Sequence, residues 1–297
     1  MEDFKYKDTV YFHIPAIFKS YINSREPNIY TALLSANHEK DLRGDINLIV
    51  YGCPANCIWN GGRLIQGYQY TIDDIDYMFS VYETHMGIPL QLTFTNSILE
   101  KRDIYDRYGN ALLDLANKYE DNVEILVVSD ILEKHIRNRY PNLKIARSII
   151  KWKQPIEEDF KKYSTIVVPK RFNHDKNYIK SLLNKGSSIE LLVDEPCDPT
   201  CSRIKTHYKA YAKTQLFIEH NDCLSCTNIS KHFNKFRIYP KEINDYIDLG
   251  VNHFKLSGRE EFSHMLMSIV EYLLPYDKVP CMFSTLLSLL FESRKEF

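Results

Sequence analysis

The chain has 297 residues, with 38 Lys and Arg against 39 Asp and Glu, a net charge of -1 and a pI near 6.8. That balance excludes a global field for holding nucleic acid or an anionic membrane; only a local basic groove would serve, so nucleic acid is not excluded. Hydrophobic residues make up 44%, the share of an ordinary globular protein. The charged start, Met1-Glu-Asp-Phe-Lys-Tyr-Lys7, does not read as a signal peptide. The most apolar stretch, Met282 to Phe291, is too short to span a bilayer. A cytoplasmic, reducing setting is therefore expected, in which the seven cysteines serve as thiols or ligands rather than disulfides.

Along the chain a short apolar, β-branched run is followed repeatedly by a helical stretch. The runs are Val10–Pro15, Ile46–Gly52, Leu90–Asn96, Val123–Asp130, Lys144–Ile149, Thr165–Lys170, Ile189–Glu195, Phe236–Pro240 and Phe254–Gly258. Most read as apolar at nearly every position, the pattern of parallel strands covered on both faces. Helices are expected over Thr71–Met86, Asp106–Glu120, Ile131–Tyr140, Glu157–Tyr163, Asp175–Lys185, Lys241–Leu249 and Glu260–Leu274. Thr71 offers a cap, Asp106 and Asp130 stand where caps belong, and Pro141, Gly186 and Gly250 stand where helices should stop.

This alternation predicts one α/β domain over 1–297, a (β/α)₈ barrel. An open doubly wound sheet is the rival, but no G-x-G-x-x-G opens a first turn. Nine strand candidates compete for eight places. Residues 197–235 break the alternation and read as an insertion at the C-terminal face of the strands. Residues 275–297 read as an apolar tail packed on the barrel.

The insertion carries the chemistry. Cys197 and Cys201 form one close thiol pair, and Cys223 and Cys226 a second. Two such pairs can converge on one metal centre, either an iron–sulfur cluster or zinc, since both accept four thiolates. Cys53 and Cys57 follow the second strand at the same barrel end and could substitute for later thiols; His220 is a further candidate ligand. Arg203 and His207, four apart, share a helix face and could meet a cluster sulfur or an anionic substrate. Lys255 and Arg259 could neutralise a carboxylate or phosphate, or pair with Asp194 or Glu195. Arg63, after Gly61-Gly62, could bind an anion with the loop amides. Asn96, Arg171 and Glu195 stand with them at the strand ends, where barrel enzymes place substrate.

Asn252-His-Phe-Lys-Leu-Ser-Gly-Arg259, preceded by Arg237-Ile-Tyr-Pro-Lys-Glu-Ile-Asn-Asp-Tyr246, resembles the collagenase-like peptidase (U32) superfamily. Ile46–Gly52 with Gly61-Gly-Arg63, Val127-Val-Ser-Asp130 and Leu191-Leu-Val-Asp-Glu-Pro-Cys197 are similar too, so the likeness runs over roughly residues 8–275. The resemblance implies a barrel and a 4Fe–4S cluster. Cysteine-ligated clusters occur in members acting in oxygen-independent hydroxylation of ubiquinone or RNA, and small accessory members often work in pairs with a paralogous chain. The expected function is thus an iron–sulfur redox or hydroxylation-type enzyme, or its accessory, acting on a polar substrate. A peptidase or other hydrolase is the second expectation, and a non-catalytic protein with structural zinc the third.

Overall fold

The computed structural model describes residues 4–15, 42–61, 69–151, 153–198, 200–222, 235–257 and 262–275. Eight parallel strands close into a barrel in chain order. They are β1 (Val10–Pro15), β2 (Ile46–Gly52), β3 (Leu90–Phe94), β4 (Val123–Val127), β5 (Lys144–Arg147), β6 (Thr165–Val168), β7 (Ser188–Leu192) and β8 (His253–Lys255). Pairing of Tyr11 with His253 and of His13 with Lys255 closes the ring. The helices around it are α1 (Ile72–Ser80), α2 (Arg107–Lys118), α3 (Asp130–Arg139), α4 (Glu157–Lys162), α5 (Lys176–Leu182), α6 (Ile204–Gln215), α7 (Ile243–Ile247) and α8 (Phe262–Leu273). The barrel expectation holds.

Local chemistry sets the helix ends. Thr71 caps α1 in a reciprocal box with Asp74, and Asp106 accepts from the Gly109 amide to cap α2. At α3 the cap is Ser129, which accepts from the Leu132 amide, so Asp130 is the first helical residue rather than the cap. There its charge faces the positive helix end. The α1 pattern runs on through a π-helical stretch, Val81–Met86, and stops at Gly87 with φ +61°.

The ninth strand candidate, Phe236–Pro240, is not a strand. Ile238 donates one hydrogen bond to the Val193 carbonyl, but the Tyr239 amide turns to the Glu242 carboxylate, which opens the next helical turn. One ladder bond does not make a strand. The insertion over 197–235 contains α6; its later part, 223–234, and the tail from 276 lie outside the described residues.

The core divides at the sheet. Outward-facing residues such as Phe12, Leu92, Ile125, Ile166, Leu191 and Phe254 pack with the helices in one continuous apolar layer. Inside the barrel a separate small cluster of Leu126, Ala146 and Val167 fills the β4–β6 side. Much of the rest of the inner wall is polar and buried, with His13, Gln91, Thr93, Thr165, Glu190 and Lys255. Barrel interiors are usually filled by branched aliphatic residues. The reading of nearly continuous apolar strands is therefore corrected: β1, β3 and β8 alternate, apolar out and polar in, while β4 and β7 turn Glu124 and Glu190 inward beside Leu126 and Leu192.

Candidate functional site: the C-terminal mouth of the barrel

The loop after β7 forms one wall of the mouth. Lys170, just past β6, is buried, and its ammonium donates to the carbonyls of Glu195 and of Cys197, the latter at 3.0 Å. Burial pulls the Lys170 pKa down, while Glu195 and Cys197 pull it back. Glu195 accepts from the Cys197 amide at 3.3 Å, so its carboxylate shapes its own loop. Asp198 accepts from the Thr200 amide at 2.8 Å, and the Cys201 amide donates to the Asp198 carbonyl at 3.1 Å. Cys197 and Cys201 thus sit on a tightly tied loop, both half-buried.

Helix α6 crosses from this loop to the opposite side of the mouth. Asn96, fully buried, donates to the carbonyls of Ile58 at 2.9 Å and Ala212 at 3.3 Å. Gln215, the last residue of α6, donates to the carbonyls of Ala55 at 2.7 Å and Cys57 at 3.0 Å. Gly61 has to be small here: a Cβ would lie 2.6 Å from the Asn96 Cα. Arg203 at the start of α6 is exposed, and His207 stacks on Tyr211 with ring centroids 4.7 Å apart. Beyond α6 the chain folds back, with His220 bonded to Thr214 at 2.8 Å and Asp222 paired to Lys213 at 2.8 Å.

The other expected site residues fall in different surroundings. Cys53 and Cys57 are fully buried in the apolar core. Arg171 is exposed, its guanidinium 4.8 Å over the Phe172 ring. Lys255 lies inside the barrel, 3.1 Å from Glu190, 2.7 Å from the Gln91 carbonyl oxygen and 4.0 Å over the Tyr51 ring. Its carboxylate partner is Glu190, not the Asp194 or Glu195 considered from the sequence. Cys223, Cys226, Arg63 and Arg259 lie outside the described residues.

Two groupings emerge only in three dimensions. One is the inner network. His13 lies 3.0 Å from Glu190 and shares a 3.1 Å hydrogen bond with His253, and Gln91 passes the chain on to Glu124 at 2.7 Å. Ser164 and Thr165 donate to Glu124 at 2.6 and 2.8 Å. Burial holds the His13 pKa well below the ordinary imidazole range, and Lys255 and His253 push the same way. The other grouping joins the ends of β7 and β8. Asp194, buried, accepts from the Ser257 amide at 2.6 Å and from the Ser268 hydroxyl. The Ser257 hydroxyl meets His264 Nε2 at 2.8 Å, and the same nitrogen is 3.6 Å from Asp194. The bond to Asp194 raises the His264 pKa against the lowering effect of burial. Neither grouping has a local spacing signature; the strand-end position of Asp194 and Ser257 was the one signal available.

Among the described residues no group of three or more His, Cys, Asp or Glu is gathered as a metal site, and no helix is long and apolar enough to cross a membrane. No family model matches the chain, and no curated protein matches it in sequence. In structure it is similar to the U32 peptidase Mk0906, with a TM-score of 0.53 and 11% identity over 84% of this chain and 93% of that one. It is also similar to a glycerophosphodiester phosphodiesterase from Parabacteroides distasonis, with a TM-score of 0.47 and 11% identity over 89% of this chain and 98% of that one. At such identity the first likeness shows a shared fold: this chain is a (β/α)₈ barrel similar to that of a U32 peptidase.

Proposed function

We propose that the chain is an iron–sulfur protein of redox or hydroxylation type, acting on a polar substrate at the C-terminal mouth of the barrel. The supporting observation is the pair Cys197 and Cys201: half-buried, and carried by a loop tied down at the end where barrel enzymes work. The donor set suits a cluster as far as it is described. Cys197 is within electrostatic reach of the Lys170 cation, and a cation beside a cysteine favours the thiolate form that metals bind. Cys223 and Cys226 would complete the four ligands. A 4Fe–4S cluster held there would supply one-electron transfer. The chain's own part is to fix the loop through Lys170 and Glu195 and to cover the mouth with α6.

The test is anaerobic purification with iron, sulfide and zinc counted beside an absorption spectrum. About four irons and four sulfides per chain are expected, with a broad visible band. Cys197→Ser with Cys201→Ser should remove the band while the barrel stays folded. About one zinc without iron would move the protein to the structural-metal class, and neither metal would sink the reading.

A hydrolase is the second reading, favoured by the Ser257, His264 and Asp194 grouping. Its geometry differs from a relay, in which hydroxyl and carboxylate meet opposite imidazole nitrogens. Here both meet Nε2. Peptide or ester turnover that survives metal removal and disappears in Ser257→Ala would favour it over the cluster.

A further inference from the structure

The six cations Arg147, Lys151, Lys153, Lys162, Lys205 and Lys209 line one cleft of about 440 Å³. That volume is typical of small-ligand sites. The cleft lies between α6 and the segment joining β5 to α4, and it reaches Val128 just past β4. Two carboxylates in its lining, Asp130 and Asp159, oppose the cations. The whole chain is nearly neutral, so this concentration of positive charge is local rather than a share of a basic surface.

The cations fall into two sets. Lys151, Lys162 and Arg147 are pinned. Lys151 pairs with Asp130 at 2.7 Å and with Glu133 at 2.9 Å; Lys162 pairs with Glu133 at 2.6 Å, and Arg147 with Asp159 at 3.1 Å. Burial pushes the Glu133 carboxyl up, but hydrogen bonds from Lys151, Lys162 and Tyr163 outweigh it and hold its pKa at about 2. These ion pairs make a fixed floor. Lys153, Lys205 and Lys209 are exposed and have no carboxylate partner among the described residues. Arg147 donates to the Lys153 carbonyl at 2.7 Å and so holds the backbone of the cleft lip in place. Lys205 and Lys209 are one turn apart on α6 and face the same side.

We propose that this cleft binds a small phosphorylated molecule carrying at least two phosphate charges. Three unpaired ammonium groups, delivered by two separate segments around one cavity, exceed what a single carboxylate can satisfy. They suit oxygens spread over linked phosphates, which lysine binds as point charges. Val128, Ile150 and Ile156 give the cleft an apolar wall for the carbon body of the ligand. A single nucleic-acid strand fits less well, because it asks for exposed aromatic platforms on which bases stack. The aromatic side chain described in the lining is Tyr163, which is buried with its hydroxyl bonded to Glu133 at 2.7 Å.

The test is calorimetric titration of the full chain with pyrophosphate at low salt, for wild type and for the triple variant Lys153→Gln, Lys205→Gln, Lys209→Gln. The substitutions are at exposed positions, so folding should be untouched, and thermal unfolding checks it. Wild type should bind one equivalent, and the triple variant should bind at least about tenfold more weakly, as expected for three lost charge contacts. Lys101→Gln with Lys134→Gln, on a neighbouring surface, should bind like wild type. Absence of saturable binding, or equal binding by wild type and triple variant, overturns the proposal. So does a single-stranded oligonucleotide that needs the three lysines but is not displaced by pyrophosphate, which would assign the cleft to a polymer.

Discussion

The two walls of the same barrel are held by different physics. The outer wall, with Phe12, Leu92, Ile125, Leu191 and Phe254, is stabilised by apolar area against the helices. One residue away on each strand, the inner wall presents His13, Gln91, Glu124, Glu190 and Lys255, in a chain of contacts between 2.7 and 3.1 Å. Apolar packing tolerates exchange of one hydrophobic residue for another of similar volume. A buried ion network does not tolerate loss of a single member, because the charge left behind has neither water nor partner. The inner wall should therefore be sensitive to which residue is removed, and the outer wall to how much volume is removed.

The largest effects test this directly. Phe254→Ala empties a fully buried outer position and should cost about 3–5 kcal/mol of unfolding free energy in a denaturant titration. Glu190→Ala should cost a comparable 3–5 kcal/mol although it removes less apolar volume, because Lys255 loses the buried carboxylate it pairs with. The double change Glu190→Leu with Lys255→Met should recover most of that loss, since an apolar pair of similar size often replaces a buried ion pair at no cost. A Glu190→Ala variant as stable as wild type would break the distinction between the walls.

The walls should differ in pH response as well. His13 is held neutral in the folded state, with its pKa well below 6.5, whereas in the unfolded chain it titrates near 6.5. Its contribution is therefore complete above pH 6.5 and is lost as pH falls below that value, at up to about 1.4 kcal/mol per unit. His253, lowered chiefly by burial, adds to the same slope. His264 has the opposite sign. Its pKa is raised by Asp194, so its contribution is complete below about 6.5 and is lost as pH rises through the raised value. His13→Gln should flatten the acid side of the stability curve, and His264→Gln the neutral side. An unchanged acid slope in His13→Gln would show that the network is not what titrates.

Sequence and structure part company at the same division. The outer wall was legible: β-branched runs at regular spacing, with Thr71, Asp106 and Gly250 marking helix ends, give nine strand candidates for a closed barrel of eight, and the closed barrel forms. The ninth candidate failed because Phe236–Pro240 has the composition of a strand but hands its Tyr239 amide to Glu242. The inner wall was not legible. Glu190 lies inside a run read as apolar, and Lys255, read as an anion binder, meets it only because β7 and β8 are neighbours. Gln91 and Lys255 are 164 residues apart, a separation no local pattern encodes. The cysteines divide in the same manner: residue type and spacing marked both early and late pairs, while burial separates Cys53 and Cys57 in the core from Cys197 and Cys201 at the mouth.

The smallest predicted effect probes the seam between the walls. The Tyr51 ring lies under the Lys255 ammonium at 4.0 Å, while its hydroxyl donates to the Leu256 carbonyl at 2.6 Å. Tyr51→Phe keeps the ring and removes the donor, and should cost about 1 kcal/mol in a denaturant titration, the net worth of one buried hydrogen bond. Tyr51→Leu removes the ring face as well and should add a further loss of about 1–2 kcal/mol, the scale of a desolvated cation–π contact. If the extra loss persists when Lys255 is already Met, the ring acts by packing alone; if it vanishes, the ammonium is what the ring supports, and the inner wall extends by one residue to β2.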